Sequence, residues 1–366
     1  MTSSDPKAFP GRTERLPLDF AQVDAAWLTR TLQNQYPGVV VEAMEVVEFI
    51  PGHTTKARVS LKLNQAGIDA GLPAAACLKA NWSGNAMSSG VCVNEARFYG
   101  KLRSRLPLPA PICYFADWDD DATSQQGFIL LEDMILRGGS FDTSARAITL
   151  DQMYKALEGM ATLHGSTWAH PELDRQDWIE VAMAKTTNTD DYWSMMEEYF
   201  ARHNAIPERV AMFPQWMAED PTRLRSAWRQ LCAYDQASPA PRCLVHGDAH
   251  LGNSYSLPDG GRLWFDWQIV RKGRPWRDYS YFLIGSISIE DRRKAERDLL
   301  RHYLGCLAKY DIAIDFDEAW SEYRRWVIWG LVGWQSNINP KEETMPPLER
   351  FCVAAKDLEI DHFYKF

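Results

Sequence analysis

Leu244-Val245-His246-Gly247-Asp248-Ala249-His250-Leu251-Gly252-Asn253, followed ten residues on by Leu263-Trp264-Phe265-Asp266-Trp267-Gln268, is the passage that decides how the chain is read. Each half begins as a short apolar run of strand type and ends in polar groups. Asp248 and Asn253 stand five apart in one loop, and Asp266 follows thirteen residues later. If the two runs pair, a carboxylate, an amide oxygen and a second carboxylate converge. These are hard oxygen ligands, suited to Mg²⁺ held together with substrate phosphates. Taken singly, Asp and Asn are ordinary turn and cap residues. Their joint spacing gives them a chemical reading.

Working outward, Lys79 sits inside the apolar run Ala74–Ala80, where a charge needs a partner. Glu95, sixteen residues on, lies in the helix predicted to follow and is placed to supply one. Residues 19–35 set Phe20, Val23, Trp27, Leu28 and Leu32 near helical spacing. Val39–Ile50 and Lys56–Leu63 read as strands joined by the turn Pro51-Gly52-His53-Thr54-Thr55, and Ala74–Ala80 as a third, buried strand. A Gly/Ser-rich loop over 83–90 precedes a helix predicted over Val91–Arg105. Two more strands, Pro111–Trp118 and Gly127–Leu131, are expected around an acidic, exposed loop, Asp117–Gln126.

Arg137-Gly138-Gly139-Ser140 is the best candidate for an interdomain hinge, and the chain beyond it turns helical. Thr149 with Gln152 reads as a capping box, and Leu150, Met153, Leu157, Met160, Ala161 and His164 mark one helix face. Residues 186–235 are helical in pattern, a strand–loop–strand unit interrupts at 243–269, and helices resume to the end. The expected class is α+β: a small antiparallel-sheet lobe over residues 1–134, ending in the hinge, and a larger, mainly helical lobe over 135–366. No internal repeat is present.

Composition narrows the function classes. The 366 residues are 46% hydrophobic and 24% charged, which is globular composition. A net charge of −9 argues against a basic nucleic-acid binder. No apolar run approaches the roughly 18 residues of a membrane span, and Met1–Gly11 lacks the charged-then-apolar order of a secretory signal. Seven scattered cysteines without a CxxC pair fit reduced thiols. A cytoplasmic protein with neither nucleic-acid nor membrane partner is expected. Oligomeric state has no signature in the sequence. The 15 Trp, 14 Tyr and 15 Phe are core by default, and they also suit a pocket for an organic ligand.

In order and spacing, His246-Gly247-Asp248, Asn253 and Asp266-Trp267-Gln268 resemble the signature of the aminoglycoside phosphotransferase and choline kinase superfamily of small-molecule kinases. Gln268, where a protein kinase carries Gly, is similar to the ecdysteroid-kinase-like branch. The resemblance implies a two-lobed protein-kinase-like fold and an ATP- and Mg²⁺-dependent phosphotransferase acting on a hydroxyl of a small organic acceptor. It implies Asp248 as catalytic base, Asn253 and Asp266 as metal ligands, and Lys79, fixed by Glu95, on the α- and β-phosphates. It further implies that Gly52, Thr54 and Thr55 close over the phosphates, that Glu132, Asp133 and Met134 meet the adenine, and that Asp278 braces the catalytic loop. The turn departs from the family's protein-kinase relatives in carrying one glycine, Gly52, instead of a glycine-rich loop. Gly247 stands where protein kinases carry an Arg, which favours small molecules over protein substrates.

Other readings stay open at this stage. His246, Asp248 and His250 alternate along one run as the ligands of a metal-dependent hydrolase would. A non-catalytic nucleotide-binding regulator of the same fold is a third. For the acceptor, Asp190, Asp191, Glu197 and Glu198 near aromatic residues suit a choline-like amine or an aminoglycoside, whereas aromatics alone suit a sterol-like or aromatic alcohol. His246 and His164 read as structural, and His250 leans the same way. Transfer of a nucleotidyl group is compatible with the same metal clamp.

Overall fold

Thr55, Ala57, Val59 and Leu61 are buried while the residues between them are more open. This two-residue period belongs to a strand with one face on a core. Five such strands, Val41–Ile50 (β1), Thr55–Leu63 (β2), Ala75–Ala80 (β3), Cys113–Asp121 (β4) and Ser124–Glu132 (β5), form an antiparallel sheet ordered β1-β2-β3-β5-β4. The computed structural model describes residues 14–121, 124–183, 189–337 and 341–366. It divides the chain into two units, the residues up to Gly139 with Phe265–Val270, and Ser140–Trp264 with Arg271–Phe366.

In the first unit, helix α1 (Ala25–Gln33) is N-capped by Asp24, whose carboxylate accepts the Trp27 amide at 2.7 Å. It buries Trp27, Leu28 and Leu32 in one core with Val59, Leu78 and Phe128. Burying a side chain such as Leu78 contributes roughly 2 kcal/mol. A short helix α2 (Gln65–Asp69) follows β2, which sequence periodicity did not indicate. Helix α3 (Ala86–Arg97) continues as a π-helical segment, Phe98–Arg103. It therefore starts inside the stretch expected to be a Gly/Ser loop. It lies against β5 so closely that a Cβ on Gly127 would stand 2.0 Å from the Cys92 carbonyl oxygen, so this close approach requires glycine.

Of the expected acidic loop Asp117–Gln126, the described residues instead continue β4 and β5, paired from Asp117↔Phe128 to Asp121↔Ser124, and residues 122 and 123 lie outside the described residues. Asp117 is buried, not solvated, with its Oδ1 accepting the Trp118 amide at 2.8 Å. Local charge outweighed strand pairing in the sequence reading, and the hairpin register won in the fold.

The second unit is mainly helical. It runs through α4 (Leu150–Ser166), α5 (Pro171–Asp174), α6 (Thr189–Asn204), α7 (Pro207–Val210), α8 (Gln215–Glu219) and α9 (Arg223–Ala237). After a strand region come α10 (Trp276–Ser286), α11 (Ile289–Leu307), α12 (Phe316–Arg325), α13 (Val327–Ser336) and α14 (Lys341–Asp357). The Thr149–Gln152 capping box starts α4, and Met153, Leu157, Met160, Ala161 and His164 are buried along it. The strand region belongs to two small sheets. Cys243–Val245 pairs with Arg271–Gly273, and Ser254–Ser256 pairs with Arg262–Trp264 and Ser140–Phe141. The two apolar runs of the decisive passage thus pair with other strands and not with each other. Among the described residues no helix is long and apolar enough to cross a membrane.

Candidate active site

On β3 the two-residue period sends Leu78 and Ala80 to the α1 core and Lys79 to the opposite face. There Lys79 Nζ lies 2.6 Å from Glu95 Oε2 on α3 and 2.8 Å from Asp266 Oδ1. Lys79 and Glu95 are nearly inaccessible, while the Asp266 side chain is 25% exposed. Burial works against the Lys79 charge, but the two carboxylates outweigh it and hold the ammonium above its ordinary pKa. Asp266 itself sits in the left-handed region, φ 65° and ψ 54°. Such a conformation is costly for most residues other than glycine, is better tolerated by Asp, and persists where the surrounding structure holds it. The next residue, Trp267, anchors the segment by stacking on Phe98 at 4.1 Å with the rings 9° apart.

The turn before β2 shares this unit. Thr54 and Thr55 are buried, Gly52 is exposed, and the Gln268 amide donates to Thr54 Oγ1 at 3.0 Å. Glu132 ends β5, and its carboxylate takes the Ile112 amide at 2.6 Å and the Arg137 guanidinium at 2.6 Å. Asp133 is buried, accepts Arg58 through both Nε (3.1 Å) and Nη2 (3.0 Å), and caps the 3₁₀ turn Met134–Arg137. The side chains of Glu132 and Asp133 are thus committed to the protein, as are the Glu132 N–H, which donates to the Ile112 carbonyl at 2.9 Å, and the Asp133 carbonyl, which accepts the Leu136 amide at 3.1 Å.

In the second unit, Asp248 and Asn253 share one loop after Cys243–Val245. Gly247 has φ 88°, where a side chain would be strained. Asp278, at the start of α10, braces the loop: its carboxylate accepts the His246 amide at 2.6 Å and the Gly247 amide at 3.0 Å. His164 on α4 lies 3.3 Å from the same carboxylate through Nε2 and 2.7 Å from the Tyr303 hydroxyl through Nδ1. With Nε2–H donating to Asp278, Nδ1 accepts the Tyr303 proton. Burial raises the Asp278 carboxyl pKa, but the His164 hydrogen bond, the two histidines and the Gly247 amide more than reverse this and hold it below the usual carboxylate range.

Within the loop, Asn253 Nδ2 donates to the Asp248 carbonyl at 3.0 Å and to Asp248 Oδ2 at 3.1 Å. The amide nitrogen therefore faces Asp248, and the amide oxygen is the atom left to act as a ligand. His246 is buried and its Nδ1 accepts the Asp248 amide at 3.3 Å. That bond commits Nδ1 to the loop. Among the described residues no group of three His, Cys, Asp or Glu side chains is placed to hold a metal. His250 lies beside Asp248: its Nε2 is 3.6 Å from Asp248 Oδ2 and its Nδ1 3.0 Å from Ser144 Oγ.

The surroundings of Asp248 contain a residue the sequence reading missed. Arg277, on a helix whose every residue is buried, donates through Nε to the Gly247 carbonyl at 3.2 Å and lies 4.0 Å over the Trp329 ring. Burial, then Arg271, pushes its pKa down to about 10. The available signal was a charge inside the apolar stretch Trp276–Ser286, a position that needs a partner. Tyr281 is buried near Asp248, and burial followed by that carboxylate raises its phenol well above the ordinary value. His250 meets Trp334 edge-on at 5.5 Å, and Tyr192 bonds Ser336 at 2.7 Å. On α6, Asp190 is held by Arg225 and Arg229 at 2.9 and 2.5 Å, and Glu198 by Arg202 at 2.6 Å.

The fold is that of the protein-kinase-like small-molecule kinases. The chain belongs to the ecdysteroid kinase-like family, whose model matches residues 97–314, and so to the phosphotransferases that act on a hydroxyl group. None of the curated proteins matches the chain. Among solved structures, the GDP complex of wild-type aminoglycoside 2'-phosphotransferase-IIIa is similar over 91% of this chain and 99% of its own, with 10% identity and a TM-score of 0.50. A spectinomycin phosphotransferase solved with ADP and spectinomycin covers 93% and 98%, at 11% identity and a TM-score of 0.49. The choline kinase of Streptococcus pneumoniae covers 91% and 98%, at 13% identity and 0.48. At 10% identity the first of these speaks for the fold alone.

Proposed function

We propose that this kinase transfers the γ-phosphoryl group of ATP, with Mg²⁺, to a hydroxyl of a small neutral organic molecule. The observation that carries the reading is the buried Lys79 ammonium held between Glu95 and Asp266. Such an arrangement suits a phosphate-binding cation, in which one carboxylate would fix the lysine and the other would hold the metal. The nucleotide lobe, residues 1–134, supplies Lys79, the turn Gly52-His53-Thr54-Thr55 over the phosphates, and the Glu132–Met134 backbone for the adenine. The helical lobe, 135–366, supplies the acceptor pocket and Asp248, which accepts the acceptor's hydroxyl proton. Asn253 Oδ1 and the Asp266 carboxylate fit Mg²⁺ as hard oxygen donors. The metal when bound neutralises charge on the phosphates. The protein's own part is to position the acceptor and to orient Asp248 and Lys79.

The neutral acceptor follows from the groups near Asp248. They include aromatic rings and the Arg277 cation beside the Asp248 carboxylate; of the four acids on α6, Asp190 and Glu198 are paired with arginines, while Asp191 and Glu197 are exposed. The rings and the arginine favour a neutral acceptor over a cation. The test is ADP release by the purified protein with Mg-ATP across neutral polycyclic and aromatic alcohols, sugars, choline analogues and aminoglycosides. Turnover with the neutral alcohols supports the reading. Turnover confined to amines keeps the kinase and overturns the acceptor class, and ATP binding without turnover on any acceptor favours a regulator.

A further inference from the structure

Gln268 has no role in the chemistry above, yet its side chain joins the segment carrying Asp266 to the turn preceding β2. Its Nε2 donates to Thr54 Oγ1 at 3.0 Å, although 214 residues separate the two in sequence. Its backbone carbonyl accepts from Asn94 Nδ2 of α3 at 3.5 Å, a long contact. The Gln268 residue is thus joined to the helix that carries Glu95, and its neighbour Trp267 is stacked on that helix's continuation. On the other side of the turn, Ser83 Oγ donates to the His53 carbonyl at 3.0 Å, and Asn85 Nδ2 lies 3.3 Å from His53 Nδ1. The turn is therefore fastened at two consecutive residues, His53 and Thr54. Thr54 is only 3% exposed, so its hydroxyl bond is shielded from competing water.

We infer that Gln268 is a positioning residue for nucleotide binding: it fixes the single-glycine turn over the phosphates and ties its position to that of Asp266. A glycine-rich loop approaches phosphates because its backbone is free to bend. This turn has one glycine and lacks that freedom, so cross-links hold it in the binding position beforehand. Pre-ordering of this kind removes part of the entropic cost of binding. The inference rests on the nucleotide reading of the turn given above.

The test uses the full-length protein and three variants, Gln268→Met, Thr54→Val and the pair together. Gln268→Met keeps length and volume while removing the amide. Two readouts are taken, Mg-ATP affinity by calorimetry and amide hydrogen exchange of residues 52–55 without nucleotide. Each single variant is expected to weaken Mg-ATP binding about three- to tenfold, the loss of one shielded hydrogen bond. The double variant is expected to be no weaker than either single one, since both remove the same bond. Exchange at 52–55 is expected to quicken in all three, and affinity for adenosine, which has no phosphates, to stay at the wild-type value. Mg-ATP affinity unchanged in Gln268→Met, or losses that add in the double variant, overturns the inference and leaves the kinase reading intact. Equal weakening of adenosine also overturns it, because the effect is then general and not on the phosphates. A wild-type protein that binds no Mg-ATP overturns both.

Discussion

Asp278 shows how much of the site is decided by one residue. Its carboxylate receives two loop amides and faces His164, and its pKa lies below the usual range. A carboxyl whose folded pKa is depressed contributes stability that is present above its unfolded value, near 3.9, and is lost as pH falls through the lower folded value. Urea midpoints measured between pH 6 and pH 2 should therefore fall in the wild type. In Asp278→Asn, stability at neutral pH is expected to be lower and its acid-dependent loss smaller. Lys79→Met leaves Glu95 and Asp266 together without their cation, an arrangement that typically costs about 3 kcal/mol. Denaturant unfolding should register that loss alongside weaker nucleotide binding. Asp248→Asn keeps the loop's shape and removes the base. Turnover is expected to fall about 10²- to 10⁴-fold with little change in melting temperature.

Among elements, α3 and β5 form the junction on which the Lys79–Glu95 pair depends. Gly127 allows α3 to lie against the sheet, and a Cβ there meets the Cys92 carbonyl at 2.0 Å. Gly127→Val should push α3, and Glu95 with it, away from Lys79. A destabilisation of roughly 2 to 4 kcal/mol is expected by thermal or urea unfolding. What could be read beforehand at this scale was what short-range pattern carries. The β2 alternation, the Thr149–Gln152 cap and the lysine inside an apolar strand are all local signals. The extra turn of α2, the early start of α3 and the extension of β4 and β5 through the acidic stretch depend on partners that composition does not show. Asp117 was misread for this reason: its charge looked like surface, and its hairpin register buries it.

Over the whole chain, the decisive contacts join residues far apart in sequence. Lys79 and Asp266 are 187 residues apart, Thr54 and Gln268 are 214 apart, and His164 and Asp278 are 114 apart. Motif spacing could point to Asp248, Asn253 and Asp266 as a set, but it could not show that Asp266 shares the Lys79 ammonium or that Arg277 bonds Gly247. The family match begins at residue 97, so Lys79, Glu95 and the Gly52–Thr55 turn lie outside it, and the ion triad carries the argument for them. The most direct measurement follows the label from ATP carrying its isotope at either the γ- or the α-phosphate, with Mg²⁺ and the best neutral alcohol of the panel. Transfer of the γ-label to the alcohol, abolished in Asp248→Asn and Asp266→Asn, is the predicted result. Transfer of the α-label, or γ-transfer that survives both substitutions, would contradict it.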